Sequence, residues 1–419
     1  MAAGYLEILR ARHAVRLLAG TLVGRLPNAT AAIAIVLFVR AEGGTYTLAG
    51  GLAAVYGVAN AVGQPVLGRL VDLRGQPRVQ LPAALVSALG MAVFAFAGTD
   101  PLPLAYAAVA AAGLFTPPLE GGLRALWPSV LRREDQVHTA YAMDAVAQEI
   151  MFTVGPLLVT LCVALWSAQA ALLVLNAVGV LGALCVVLSP PSRAWRSAPR
   201  EAHWLGALRS PGLRALLGAF FFVGVALGSI TVASVPYADD HGGDAVYGWL
   251  MAGIGLGALI GGLCYGARRW TGEPARRLQA LVALLAVCYL PLTLMPGAVA
   301  MTLLTVLAGV FLAPAIACAF VLVDRHAPRG TVTEAFSWLV TTFTVGASVG
   351  TGLAGPVVQA GGALWGFVVP GAAGGVSLLV LLATGRVLAA SAGGAVVASS
   401  SENDPNRAVE PRFSSGDRA

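Results

Sequence analysis

Apolar residues run from Leu17 to Arg386 in stretches of about twenty, most of them ending at Gly, Pro or a short charged cluster. At ~1.5 Å of rise per residue, ~20 residues cross ~30 Å of hydrocarbon as a helix. Twelve such stretches fall at 17 to 39, 46 to 67, 79 to 98, 102 to 126, 138 to 165, 168 to 188, 213 to 237, 245 to 267, 278 to 296, 298 to 322, 332 to 359 and 363 to 385. They are apolar all round. The alternation of a membrane β-barrel is absent, so the pattern predicts an all-α membrane protein with twelve transmembrane helices.

Composition agrees: 58% of the 419 residues are hydrophobic, 11% are charged and the mean hydropathy is +0.79. A soluble domain would carry ~25% charge. The first 16 residues show no cleavable signal, and the polar stretch 387 to 419 reads as a disordered cytoplasmic tail. All five cysteines fall within spans, scattered and odd in number, which suggests neither disulfides nor a metal site. No cofactor is expected.

Every basic residue is arginine, and 24 of the 26 fall in the N-terminal segment, the even-numbered connections or the C-terminal tail, all on one face of a twelve-span protein. The positive-inside rule makes that face cytoplasmic, with both termini inside a plasma membrane. The net charge of +6 then reflects topology and the lipid bilayer, not a nucleic-acid partner. The opposite face carries Glu42, Asp100 and DDHGGD at 239 to 244. That run could hold magnesium in a membrane enzyme, but such chemistry needs a second facing acidic motif, and the chain shows one.

Sliding the chain by 198 places Gly50, Leu52, Gly57, Gly63 and Gly68 on Gly248, Leu250, Gly255, Gly261 and Gly266. At 196, Gly113, Phe115 and Pro118 meet Gly309, Phe311 and Pro314; at 195, Ala140 and Gly155 meet Ala335 and Gly350. Blocks in order at nearly constant offset imply two pseudo-symmetric six-helix halves, 17 to 188 and 213 to 386, joined by an Arg- and Trp-rich cytoplasmic linker at 189 to 212. Two parallel halves imply a central cleft and alternating access. GIGLGALIGG at 253 to 262 lacks the strand and acidic residue of a dinucleotide loop, and its glycines four apart suit close helix packing.

The connection after the second span reads GRLVDLRGQPR, 68 to 78. It resembles the signature of the major facilitator superfamily, G-x-x-x-D-R-x-G-R-R, through Gly68, Asp72, Gly75 and Arg78, with Arg74 one place late and Leu73 and Gln76 departing. The resemblance covers about 10 to 390 and implies that this loop is a cytoplasmic gate, its carboxylate facing the start of helix 11 and basic partners. Arg124 is the expected partner of Asp72, and Thr331 to Glu334 reads as a capping box. Gly155 and Pro156 resemble part of the signature of the drug:proton antiporter branch, although Met151, Val159 and Thr160 replace its other glycines and the branch's helix-4 arginine is not evident.

Arg25 interrupts the first span, roughly 12 Å deep. Asp144 and Glu149 enter span 5 from the same side, at roughly 9 and 17 Å. A lone charge so placed costs at least ~2.5 kcal/mol, so it faces a cavity or another charge. In the superfamily, helices 1 and 5 are neighbours and helix 1 lines the cleft, so Arg25 is expected to balance one or both carboxylates. A static pair, or snorkelling of Arg25 to the interface, would also satisfy it. The surplus carboxylate could exchange a proton, and Glu149 is the first candidate. Glu120, four residues before Arg124, reads as a local pair, and Asn28, Tyr56, Asn60, Gln64 and Trp338 are cleft candidates. The expectation is a monomeric transporter coupling protons to efflux of a small, largely apolar molecule. Uptake or facilitated diffusion of a metabolite, or an enzyme using 239 to 244, are the alternatives.

Overall fold

A computed structural model describes residues 2–389 apart from 132, 200–202, 204 and 269; the tail expected from 387 onward lies, from 390, outside the described residues. Among the described residues all the regular elements are helical. A short helix, Ala2–Arg10, precedes α1 (Ala14–Ala41), α2 (Tyr46–Arg74), α3 (Gln76–Ala97), α4 (Leu102–Val130), α5 (Glu134–Leu165) and α6 (Ala168–Val187). After a linker with a short helix, Pro190–Ala194, and a short 3-10 helix, Gly206–Arg209, come α7 (Pro211–His241), α8 (Asp244–Gly266), α9 (Pro274–Leu294) and α10 (Ala298–His326). A single run, Val332–Ala383, closes the chain.

Ten described helices are long and apolar enough to cross a bilayer. The other two crossings are concealed by polar and glycine content and by continuity. Helix α2 dilutes its uncharged stretch, 46–68, with Asn60, Gln64 and several glycines, and carries Arg69, Asp72 and Arg74 only in its last two turns. The 52 residues of Val332–Ala383 would span ~78 Å if straight, but the backbone breaks at Gly362, with φ 78°, giving α11 (332–361) and α12 (363–383). The twelve expected helices are therefore present.

Three boundaries differ from the sequence reading. The loop expected at 68 to 78 contracts to one residue: α2 runs to Arg74 and α3 starts at Gln76, and Gly75 makes the turn at φ 85°, a conformation an L side chain resists. Helix α4 is interrupted between Leu114 and Leu119, where Pro117 and Pro118 cannot donate to the preceding turn. Helix α10 is interrupted at the repeat-related place, between Gly309 and Leu312.

The repeat extends to atomic contacts. A Cβ on Gly63 would collide with the Leu114 carbonyl and one on Gly113 with that of Tyr56; their repeat mates Gly261 and Gly309 would meet the carbonyls of Val310 and Ile254. The α2–α4 crossing thus recurs as α8–α10, and in both the absent side chains let backbones touch. Close backbone packing of small residues is what joins helices in lipid, where burial of apolar surface gives no advantage.

The two halves meet where α2 and α4 press on α11, and where α5 packs on α8 and α10. Gly68 and Gly121 leave room for Ser337 and the Thr333 backbone, and Tyr141 packs its ring edge-on against Phe320. The N-terminal helix ties across as well: Tyr5 donates to the Leu263 carbonyl at 2.9 Å, and burial, aided by Cys264, pushes its phenol up to about 12.

Candidate functional site

The interruption of α4 creates the site. A helix restarting at Leu119 places Glu120 in its first turn and Arg124 one turn on, so both reach the same face. Three amides secure the break: Gln64 donates to the Thr116 carbonyl at 2.9 Å, Gln80 to that of Pro118 at 3.4 Å and Gln76 to that of Gly122 at 2.9 Å. These amides, from α2 and α3, tie the interrupted stretch of α4 to its neighbours.

Arg25 of α1, Glu120 and Arg124 of α4 and Asp144 of α5 form a closed ring of alternating charge. Arg25 Nε lies 2.8 Å from Glu120 Oε1 and its Nη1 3.1 Å from Asp144 Oδ1. Arg124 Nε lies 2.6 Å from Asp144 Oδ2 and its Nη2 3.3 Å from Glu120 Oε2. Each carboxylate bridges both arginines, so the ring is neutral. Gln148, one turn after Asp144, accepts from Arg124 Nη2 at 3.2 Å. Arg124 and Asp144 are fully buried, whereas Glu120 retains 16% exposure.

The ring also touches the other half. The Arg124 guanidinium lies 3.8 Å from the Phe320 ring centroid and 5.9 Å from that of Phe336. A guanidinium over an aromatic face is attracted by the ring quadrupole, more strongly when both are desolvated.

Arg124 does not serve Asp72; it completes the ring, while Asp72 accepts backbone N–H bonds from Thr333 at 3.1 Å and Glu334 at 2.9 Å. The carboxylate of one half therefore caps the N-terminus of α11 in the other. The expected Thr331 capping box is not formed, and the Thr331 hydroxyl donates to the Pro328 carbonyl instead. A carboxylate at a helix N-terminus satisfies orphan donors and is attracted by the positive end of the dipole. No basic residue is needed.

Gly68, Asp72 and Gly75 thus shape the contact, whereas Arg74 and Arg78 are exposed and take no part in it. Arg25 and Asp144 come together as expected, with Glu120 as the added partner that the sequence reading assigned to Arg124 alone. Glu149 lies outside the ring, near Tyr289 of α9. Gly155 sits on α1, where a Cβ would lie 3.3 Å from Thr30 Cγ2, and α5 continues through Pro156. The acidic run at 239 to 244 ends α7 and starts α8 around a two-glycine turn; among the described residues no group of three Asp, Glu, His or Cys could hold a metal ion.

A cavity of about 220 Å³ lies beside the ring, between α1, α2, α4, α5 and α11. Arg25, Glu120 and Gln148 reach it from the ring, and Asn28, Tyr56, Asn60 and Gln64 line it from the same half. Val340, Thr341 and Phe343 line it from α11. Trp338 packs into the core instead. A wider groove of about 670 Å³ between α7, α8 and α11 is lined by no Asp, Glu or Arg and belongs to one half only.

The family model of the Major Facilitator Superfamily matches residues 17–351. No curated protein matches the chain at the sequence level. Among solved structures, the human organic anion transporter TETRAN is 18% identical, with 88% of this chain and 97% of that chain covered at a TM-score of 0.67. A bacterial homologue of the iron transporter ferroportin, in its outward-facing state, is 15% identical over 88% and 98% of the two chains, with a TM-score of 0.68. The fucose:proton symporter of E. coli is 16% identical over 88% and 97%, with a TM-score of 0.63. At these identities the likeness is one of fold.

Proposed function

The chain belongs to the major facilitator superfamily and is a multi-pass membrane transporter, and we propose that it works by alternating access as a proton-coupled exporter of a small, largely apolar molecule. The observation that carries this reading is a neutral charge ring beside a cavity lined by both halves, with a contact between the halves at the arginine-rich end. In this reading the Asp72 cap on α11 is the closed cytoplasmic gate, and the cavity is the binding site of a state closed on that side. Rocking of the halves would break the cap and part Phe320 from Arg124. The protein is taken to act as a monomer in the plasma membrane.

The ring supports a division of labour. Two arginines balance Glu120 and Asp144 within the ring, and to Glu149, which lies outside it near Tyr289, we assign the coupled proton. Glu120, which reaches the cavity, is the second choice. Transport into inverted vesicles with an imposed pH gradient tests the assignment. Glu149→Gln keeps the shape and removes the titration, so gradient-driven accumulation should fail while binding survives. Full accumulation in that variant would pass the role to Glu120.

A further inference from the structure

The turn between α8 and α9 is the repeat mate of the junction of α2 and α3, where Asp72 caps α11, and it carries different chemistry. At the offset of 198, Gly266 falls on Gly68, but Trp270 falls on Asp72, so an indole stands where the first half has its capping carboxylate. That indole donates to the Tyr265 carbonyl at 2.8 Å and stacks on the Tyr265 ring with centroids 4.9 Å apart, which fixes its position. Two guanidiniums gather on it: Arg268 lies 4.9 Å and Arg277 5.1 Å from the ring centroid. The negative face of an aromatic ring draws cations in this way.

Neither arginine is neutralised. Glu273, the carboxylate of this turn, pairs with Arg276 at 3.3 Å, and among the described residues Arg268 and Arg277 make no ion pair. Arg277 donates to the Tyr265 hydroxyl and the Gly272 carbonyl, both at 3.3 Å, so neutral groups orient its fork and leave it donors to spare. Arg268 is exposed and uses none of its own. Arg25 and Arg124, by contrast, each meet two carboxylates. Two like charges held about one ring, with no counter-charge, call for an anion.

The helices that lead away from this turn are apolar and open. Helix α8 exposes Leu256, Ile260 and Leu263, spaced four and three apart and so on one face, and α9 exposes Leu284 and Val287 in the same manner. In a membrane-spanning chain such faces meet acyl chains, and the turn at their arginine-bearing end sits at the level of the headgroups, which tryptophan favours. We propose that Arg268, Arg277 and Trp270 form a binding site for an anionic phospholipid, whose phosphate takes the guanidinium donors while its acyl chains run along α8 and α9. Arginine presents planar paired donors that match phosphate oxygens. A headgroup with net negative charge also balances the two cations, whereas a zwitterionic one brings a cation of its own. The site belongs to the lipid-facing wall and is independent of what the cavity carries.

The test is lipid binding to the purified full chain in detergent, followed by native mass spectrometry over a range of lipid concentrations. Phosphatidylglycerol should bind more tightly than phosphatidylcholine. Arg268→Gln and Arg277→Gln should each weaken the first bound phosphatidylglycerol roughly fivefold, the loss expected for one basic residue at a membrane surface, and leave phosphatidylcholine little changed. Arg268→Lys, which keeps the charge, should lose less than Arg268→Gln. Arg386→Gln, at an exposed arginine of the same end, controls for diffuse attraction and should change nothing. Because Arg268 is exposed and unpaired, Arg268→Gln decides the case if Arg277→Gln does not fold. Equal affinity for the two lipids, an unchanged affinity in Arg268→Gln, or an equal loss in Arg386→Gln would overturn the proposal. So would binding of glycerol 3-phosphate as tight as that of the lipid, which would mark a soluble phosphate as the ligand.

Discussion

A single arginine in an apolar helix has to be answered by the residues around it, and Arg25 is answered twice, by Asp144 and by Glu120. The first partner was legible because two residues entering the membrane from one side at similar depth can meet. Glu120 was legible only as the local partner of Arg124, since i,i+4 spacing shows along a helix and a bridge to a third helix does not. The ring makes its carboxylates unequal. Asp144→Asn removes a fully buried charge shared by both arginines and should lower folded yield and stability, a loss of ~3 to 5 kcal/mol being usual when one partner of a buried pair is removed. Glu120→Gln should cost less, because Glu120 borders the cavity and water can replace part of what is lost. Thermal unfolding of the two purified variants compares them, and equal losses would mean that the ring is not the supporting unit. Arg25→Met combined with Asp144→Met should not restore stability, because Arg124 would still lack Asp144.

At the scale of elements, the Asp72 contact shows why a motif can be recognised and its partner misassigned. The glycines and aspartate of 68 to 78 were visible as residue types, whereas the group that Asp72 binds is backbone, and two N–H groups at a helix start carry no residue signature. Arg124 was therefore the available cation on paper. Similarly, the expected loop is helix up to Gly75, because hydropathy falls at Arg69 while the hydrogen-bonded ladder continues to Arg74. Asp72→Asn keeps an acceptor but loses the charge on the α11 N-terminus, a contribution of about 0.3 to 2 kcal/mol. The closed contact should open more often. In a background lacking the native cysteines, Ser337→Cys, 3% exposed here, should react with a maleimide faster when Asp72→Asn is added. An unchanged rate would remove Asp72 from the gate. Gly68→Val should act in the same direction and more strongly, because a Cβ there would lie 2.7 Å from Ser337 Oγ and 3.1 Å from Glu334 Cα.

For the molecule as a whole, the repeat was the most legible feature, since glycine spacing records where backbones touch and the same carbonyls are touched in each half. The central cavity was not legible, because its wall draws on five helices whose facing no single segment fixes. Orientation rests on charge alone. The ring claims Arg124, so 23 of the 26 arginines remain as topological markers, all assigned by the chain's connectivity to the end that holds Asp72 and the linker. Such a bias orients a polytopic protein with that end in the cytoplasm. A cysteine at exposed Ala198, in the linker, should then be shielded from an impermeant maleimide in intact cells and labelled after permeabilisation. One at exposed Asp240, at the far end of α7, should label in intact cells. The reverse pattern would put the Asp72 contact on the outer face. The same closed gate would then seal the cavity from outside, and export would no longer follow from a proton entering there.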